Sequence, residues 1–404
     1  MRVLSFTAVV AADGWPVTGG VMSSRLLIRR LCEDESLEVR VIVAGDESAR
    51  GENEAFLHTL GVLHKYIPLR RRRRPPLLSK DWFRRLQLKY FGFGFEMAAF
   101  HNPGVSLVLK QLLRDWESEV LIVDYLHSAS LCSCVDVPVV LVTMNREVAF
   151  LRELLSTTKP RARLRNEIAV RRVARFERRV HSKCSKVVVL SETDIPPSID
   201  PARTVCITPY LDEQPDRWQY GDSKSAFFVG HVGHYPNRRA MEFIAKELAP
   251  RIAAIRGDVR VKIVGAGERD VPEAWRHPSI DYLGVGNATV VQDLFRTADL
   301  LVCPIANDFG MKFKVAEALS YGTPVALTPE TAKCVPYLEN LPLLRLSDPQ
   351  EGASLICRLV GNQTALKELS RSILEQQRRF MATQQKVWSR TLATIPELQD
   401  RNRR

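Results

Sequence analysis

Lys314 and Glu317 stand three residues apart in the run Gly310-Met311-Lys312-Phe313-Lys314-Val315-Ala316-Glu317. On a helix that spacing places both side chains on one face. An ammonium group beside a helix N-terminus can hold a diphosphate, because it adds a full charge to the free N–H groups of the first turn. A carboxylate one turn further on can accept two hydrogen bonds from a vicinal diol. The competing reading of the same pair is a surface ion pair. Lys312 is a second candidate cation, with Arg238 or Arg239 behind it.

Two further stretches have the composition of ligand-binding turns. Phe228-Val229-Gly230-His231-Val232-Gly233-His234-Tyr235-Pro236-Asn237 carries two glycines that permit close backbone approach, ahead of a helix whose first N–H groups suit an anion. Val264-Gly265-Ala266-Gly267 and Leu283-Gly284-Val285 could together line a pocket for a base. Turns of both kinds also occur for packing alone.

Strands and helices must hold these loops in place. Val3–Val10, Val39–Ala44, Val120–Asp124, Val137–Thr143 and Lys186–Leu190 read as buried strands. Thr18-Gly19-Gly20 reads as a loop before a helix over Val21–Leu31, and Arg161–Lys183 as a long charged helix. The cycle then restarts. Strands are predicted at Ala226–Val229, Val259–Val264, Ile280–Leu283, Leu300–Pro304 and Pro324–Leu327, and helices at Asn237–Ile255, Val290–Thr297 and Phe313–Ser320. Strand, turn, helix, strand is the pattern of a βαβ unit and predicts parallel sheets. In such sheets ligands bind outside the C-terminal ends of the strands, where all three candidate loops fall. The expected class is therefore α/β, with two Rossmann-like doubly wound domains. Prolines and aspartates cluster over 205–222 and mark a boundary there. The expected domains are 1–205, 206–375, and a C-terminal helix over 376–404 packing back on the first domain. The tail Thr364–Thr394 reads as one long polar helix.

The 404 residues suit two domains, and 45% hydrophobic with 26% charged residues excludes a disordered or fibrous chain. The net charge of +12 suggests a nucleic acid, an anionic membrane face or a phosphorylated substrate as partner. Most of the excess lies in residues 1–200, with 31 basic against 23 acidic side chains, whereas 201–300 is balanced. It concentrates in Lys65–Lys89, which includes Arg70–Arg74 and interleaved aromatics, and in Arg161–Lys186. Arginines among aromatics suit an anionic membrane interface. The same composition suits nucleic acid or a merely solvated face, but no helix-turn-helix, zinc or RNA-binding signature accompanies it, so no nucleic acid is expected. No run reaches the roughly 18 apolar residues that span a bilayer. The apolar stretch at the N-terminus is short for a signal peptide and reads better as a first strand. Eight cysteines without a CxxC pair read as small buried hydrophobes in a reducing cytoplasm, with no metal site. The expected location is cytoplasmic, with peripheral attachment to the inner membrane face as the reading of the charge.

In order and spacing, the run from Val229-Gly230 through Pro236-Asn237, Lys262-Ile-Val-Gly-Ala-Gly-Glu268, Tyr282-Leu-Gly-Val-Gly286, Ala298-Asp-Leu-Leu-Val-Cys-Pro-Ile305 and Gly310-x-Lys-x-Lys-Val-x-Glu-Ala through Gly322-Thr-Pro-Val325 resembles the C-terminal domain of GT-B glycosyltransferases of family 4. The first half is similar too, through its Gly19-Gly20 loop, Val120–Asp124, Val137-Pro-Val-Val-Leu-Val-Thr-Met-Asn145-Arg-Glu147, Arg175-Phe-Glu177 and Val188-Val-Leu-Ser-Glu-Thr-Asp194. The resemblance implies two domains facing each other across a cleft, and retaining sugar transfer from a nucleotide-diphospho-sugar to an acceptor hydroxyl with no required cofactor. The donor would be a UDP- or GDP-sugar, and the acceptor a glycan or lipid-linked glycan. Lys314, Glu317 and Lys312 would be the catalytic set. Donor binding would fall to Gly230, His231, Gly233, His234, Gly265, Leu283, Asp308, Phe309, Gly310, Met311, Glu317 and Thr328. Gly19, Gly20, Asp124, His127, Met144, Asn145 and Glu147 would lie on the acceptor side. Two positions depart from the family pattern: its first glutamate is replaced by Phe309, beside Asp308, and its histidine by Met144. Alternatives are a nucleotide-sugar epimerase or hydrolase on the same fold, or a non-catalytic binding subunit. A dinucleotide dehydrogenase is disfavoured, because no GxGxxG follows the first strand.

Overall fold

The central strands of both halves are near-continuous apolar runs, as parallel sheets covered on both faces require. In the computed structural model, which describes residues 1–9, 19–68, 103–156, 163–196, 199–286 and 288–401, the chain divides into two compact units. Met1–Ile207 and Gln385–Arg404 form the first, and Thr208–Gln384 the second.

Among the described residues the first unit has seven strands: β1 (Arg2–Val9), β2 (Glu38–Gly45), β3 (Leu63–Pro68), β4 (Val120–Asp124), β5 (Val139–Thr143), β6 (Lys186–Val189) and β7 (Thr204–Cys206). Their order is β3-β2-β1-β4-β5-β6-β7 and every pairing is parallel. The order reverses between β1 and β4, which makes that pair the topological switch point. The described helices between these strands include α1 (Gly19–Cys32), α2 (Arg50–Thr59), α3 (Pro103–Asp115), α4 (Glu147–Ser156) and α5 (Arg163–His181). Leu4, Phe6, Leu121, Val123, Leu141 and Val187 build its core and are fully buried.

The second unit has β8 (Ser225–Val229), β9 (Arg260–Val264), β10 (Ile280–Tyr282), β11 (Leu300–Cys303) and β12 (Val325–Leu327), in the parallel order β10-β9-β8-β11-β12. Here the switch point lies between β8 and β11. The connecting helices include α6 (Tyr235–Phe243), which continues through a π turn at Ile244–Leu248 into α7 (Ala249–Ile255). Next come α8 (Ala288–Thr297), α9 (Phe313–Tyr321), α10 (Pro329–Ala332), α11 (Pro349–Leu359) and α12 (Gln363–Thr383).

Two readings of the sequence are corrected. Gly19 and Gly20 are the first residues of α1 rather than a loop before it. The tail is not one helix. It breaks after α12, where Gln384 donates its N–H back to the Met381 and Phe380 carbonyls and Lys386 turns left-handed at φ 57°. Two short helices follow, α13 (Val387–Ala393) and α14 (Pro396–Arg401), within the first unit. There Ser389 N–H donates to Asp34 Oδ2 at 3.1 Å and Ser185 Oγ to Glu397 Oε1 at 3.0 Å. Among the described residues no helix is long and apolar enough to cross a membrane.

Candidate functional site

Lys314 sits in the first turn of α9. Its Nζ lies 4.2 Å from the centre of the buried Phe228 ring and donates to Asn237 Oδ1 at 2.6 Å. Asn237 belongs to the first turn of α6, and its Nδ2 donates to the His231 carbonyl at 3.2 Å. One amide therefore fastens the loop after β8 to the lysine after β11, across the switch point. The N-terminal turns of α6 and α9 converge there, each with the partial positive charge of a helix start. A Cβ on Gly230 would stand 2.6 Å from Asn237 Cγ and 2.7 Å from Lys314 Nζ, so only glycine fits beneath this pair. Burial draws the Lys314 pKa down to about 8; the thiol of Cys303 opposes that shift and Lys312 adds to it.

Glu317 is one turn along on the same helix. It makes no ion pair with Lys314, whose ammonium is turned to Asn237, and its carboxylate has no hydrogen-bond or ion-pair partner among the described residues. Burial alone pushes its pKa up to about 7. The surface ion pair that the spacing allowed is thus not formed.

Lys312 plays a different part from the one its charge suggested. It is buried at the N-terminus of α9, and its Nζ donates to the carbonyls of Phe309 at 2.6 Å and Gly310 at 2.8 Å. Two of its three donors are spent holding the 309–312 loop, so it shapes the site more than it reaches outward. Gly310 is buried and left-handed at φ 71°, and its carbonyl also accepts from Cys334 Sγ at 3.4 Å. Met311 packs on the core. Asp308 faces Lys333 Nζ at 3.8 Å. Phe309 lies with its ring centre 6.0 Å from Lys312 Nζ.

The remaining donor-side candidates divide into loop supports and exposed groups. His231 Nδ1 accepts from the Gly233 N–H at 3.0 Å. His234 caps α6 and stays exposed, yet the packing around its ring, then Lys314 and Lys312, hold its pKa below the usual histidine value. The loops after β8, β9 and β10 are stitched by main-chain bonds: Gly230 N–H to Val264 O at 2.9 Å, Val232 N–H to Gly265 O at 3.0 Å, and Gly265 N–H to Gly284 O at 2.8 Å. Beside them Leu283 and Val285 are 41% and 57% exposed, an apolar ledge of the kind a base covers. Thr328 does not join the site. It is fully buried, its Oγ donates to Ile305 O at 2.6 Å, and it caps α10 by accepting the Thr331 N–H. Asn237 is the residue the sequence reading left out of the site, although the Pro236-Asn237 pair was its visible signal.

In the first unit, Asp124 closes β4 and is fully buried. Its Oδ2 accepts from Thr7 Oγ at 3.0 Å and from Ser24 Oγ, tying β1, β4 and α1 together. Burial pushes its pKa up to about 7 against those two bonds. It is a buried strut, not a group open to a ligand. Gly20 packs against the Tyr125 hydroxyl, leaving no room for a side chain. Met144 is likewise buried, whereas Asn145 and Glu147 after it are partly exposed. His127 falls in the helical turn Leu126–Ser133; its side chain lies outside the described residues, as do Arg70–Arg74.

Residues 223–362 match the family described as glycosyl transferases group 1. A search of curated proteins returned no match. Among solved structures, the chain is similar to sucrose-phosphate synthase from Thermosynechococcus elongatus, with 14% identity, a TM-score of 0.66, and 97% of this chain and 99% of that one covered. It is similar to a variant of S. aureus TarM in complex with Fondaparinux, alpha-GlcNAc-glycerol and UDP, with 10% identity, a TM-score of 0.63, and 99% of both chains covered. It is also similar to Anabaena HepE in complex with UDP and glucose, with 12% identity, a TM-score of 0.54, and 95% and 100% covered. Likeness at these identities establishes the fold, which is GT-B with two Rossmann-like parallel-sheet halves. That fold spans the whole chain, and the glycosyl transferases group 1 match falls within the second unit.

Proposed function

We propose that the protein is a retaining glycosyltransferase of family 4 that moves a sugar from a nucleotide-diphospho-sugar, UDP- or GDP-linked, to an acceptor hydroxyl on a glycan or lipid-linked glycan. The observation that carries this reading is the Lys314–Asn237 bond at 2.6 Å between two converging helix starts, with the unpartnered Glu317 one turn on. Lys314 and the two helix N-termini would hold the diphosphate, Glu317 the ribose diol, and Leu283 with Val285 the base. TarM and HepE with bound UDP support a uridine donor on this fold. As the anomeric carbon–oxygen bond to the diphosphate breaks, the acceptor oxygen bonds to that carbon from the same face. Its proton passes to the departing phosphate oxygen. The growing diphosphate charge is what Lys314 and the helix starts stabilise.

A thermal-shift panel of UDP-, GDP- and ADP-sugars tests this. One series is expected to raise Tm by several degrees at about 100 times its Kd. Glu317→Gln should weaken that donor by about 10- to 100-fold, the worth of hydrogen bonds to a charged acceptor. No shift from any of the three would sink the reading.

Attachment to an anionic membrane face belongs to the same proposal. It is supported by α5, where Leu164, Ile168, Arg171, Arg175 and Arg178 recur every three or four residues along one exposed face. Leu164 is 76% and Ile168 40% exposed, so apolar side chains and arginines share that face. Co-sedimentation with phosphatidylserine vesicles at low salt is expected, and should be lost in Leu164→Asp/Ile168→Asp. Equal pelleting with neutral vesicles would count against it.

A further inference from the structure

Lys312 is 8% exposed, and its ammonium is spent on two successive carbonyls, those of Phe309 and Gly310. The Gly310 carbonyl takes a second donor, Cys334 Sγ, so both of its lone pairs are engaged. Cys334 is 1% exposed and reaches this carbonyl from 24 positions away. It is itself held from the sheet. Its N–H donates to Thr331 O at 3.0 Å, and the hydroxyls of Thr328 and Thr331 donate to Ile305 O, just past β11, at 2.6 and 3.2 Å. The chain after β11 is thus gripped at Ile305 and again at Gly310 by the segment around α10.

That grip has a geometric consequence. A peptide bond is planar and trans, so a carbonyl and the N–H of the next residue point in opposite directions. With the Phe309 and Gly310 carbonyls drawn to Lys312, the N–H groups of Gly310 and Met311 are both turned away from it. Left-handed Gly310, at φ 71°, is what lets two successive peptides face the same way, the arrangement of a backbone anion cradle. The Met311 N–H has no hydrogen-bond partner among the described residues, and neither does that of Phe313, the first residue of α9. A carbonyl bound to an ammonium is polarised, which makes the N–H of the same peptide a stronger donor.

We infer that Lys312 and Cys334 are positioning residues: together they clamp the Gly310 carbonyl inward, so that the Met311 N–H is preset to donate to the nucleotide diphosphate. Neither side chain touches the ligand. The inference rests on the donor reading above and deepens it by giving two lysines of one segment separate tasks. Lys314 supplies charge, and Lys312 supplies direction through a peptide.

The test titrates the full chain with UDP, GDP and ADP by calorimetry, and with the matching nucleosides by saturation-transfer NMR. One diphosphate is expected to bind wild type. Its Kd should rise about 10- to 100-fold in Lys312→Met, while saturation transfer to the nucleoside, which carries no phosphate, stays unchanged. Lys312→Arg keeps the charge but does not fit one nitrogen between two carbonyls, so it should lose affinity as Lys312→Met does. Wild-type affinity in either variant overturns the inference, and loss of the nucleoside signal as well would show a collapsed pocket and overturn it too. Cys334→Ala changes no charge and keeps the test open if the lysine variants fail to fold. Its diphosphate Kd should rise about 2- to 10-fold, and a value equal to wild type overturns the inference. A spectroscopic readout is independent of affinity. With the seven methionines labelled with 15N, the Met311 amide, assigned through Met311→Leu, should move downfield when the diphosphate binds wild type and move less in Cys334→Ala. An unmoved Met311 amide in diphosphate-bound wild type overturns the inference. Failure of all three diphosphates to bind wild type refutes the donor reading, a distinguishable result.

Discussion

Lys314→Met is expected to lower sugar transfer by about 10²- to 10³-fold, the usual loss when one preorganised stabiliser of developing charge is removed. Methionine keeps an unbranched stem of similar length against Phe228 and removes only the ammonium. The fold should therefore persist, with Tm unchanged or slightly raised, because removing a desolvated charge relieves its burial cost. The pH dependence has a definite sign. With a pKa lowered to about 8, the ligand-free lysine is charged below that pH and neutral above it. Nucleotide-diphosphate affinity should accordingly fall as pH rises through 8 in wild type, and that decline should be missing in Lys314→Met. Turnover near wild type in the variant would remove Lys314 from the mechanism. Loss of turnover together with loss of the folded near-UV spectrum would show that packing, not charge, was disrupted.

Gly265→Ala is expected to cost at least about 3 kcal/mol, near the upper end of single-site backbone effects. Two independent facts set this size. Gly265 has φ 106°, and a Cβ there would overlap the Gly230 carbonyl, standing 2.5 Å from its carbon. A carbonyl in a hydrogen-bonded loop cannot swing aside as a flexible side chain can. The bonds at risk are the ones that stitch the β8, β9 and β10 loops, so donor binding should fail with stability. A loss of about 3 kcal/mol corresponds to roughly 6–12 °C in Tm for a unit of this size. Gly257→Ala is the control. Its nearest atom to a new Cβ is the Ala253 carbonyl oxygen at 3.8 Å, and its effect should stay within about 0.5 kcal/mol. Equal melting curves for the two variants would show that the three loops are not held as described.

The fold class was legible because parallel strands buried on both faces leave unbroken apolar runs, such as Val120-Leu-Ile-Val-Asp124, separated by glycine turns. Edge elements were less legible. The strand Leu63–Pro68 buries only Tyr66 among exposed and half-buried side chains and lacks such a run, and it was not read. The tail looked like one helix because the 3.6-residue pattern survives Gln384–Lys386. What ends the helix there is the left-handed turn at Lys386, which no residue type announces.

Spacing alone placed Lys314 and Glu317 on one helix face, since helical geometry is local. It did not separate Lys314 from Lys312, two residues earlier and of the same charge. Only tertiary packing turns one ammonium to Asn237, 77 positions away in the chain, and the other back onto the Phe309 and Gly310 carbonyls. The same holds for Thr328, whose hydroxyl is claimed by Ile305. Periodicity and residue type are written along the chain. Burial and the choice of hydrogen-bond partner depend on residues distant in sequence, and for those the tertiary structure decides.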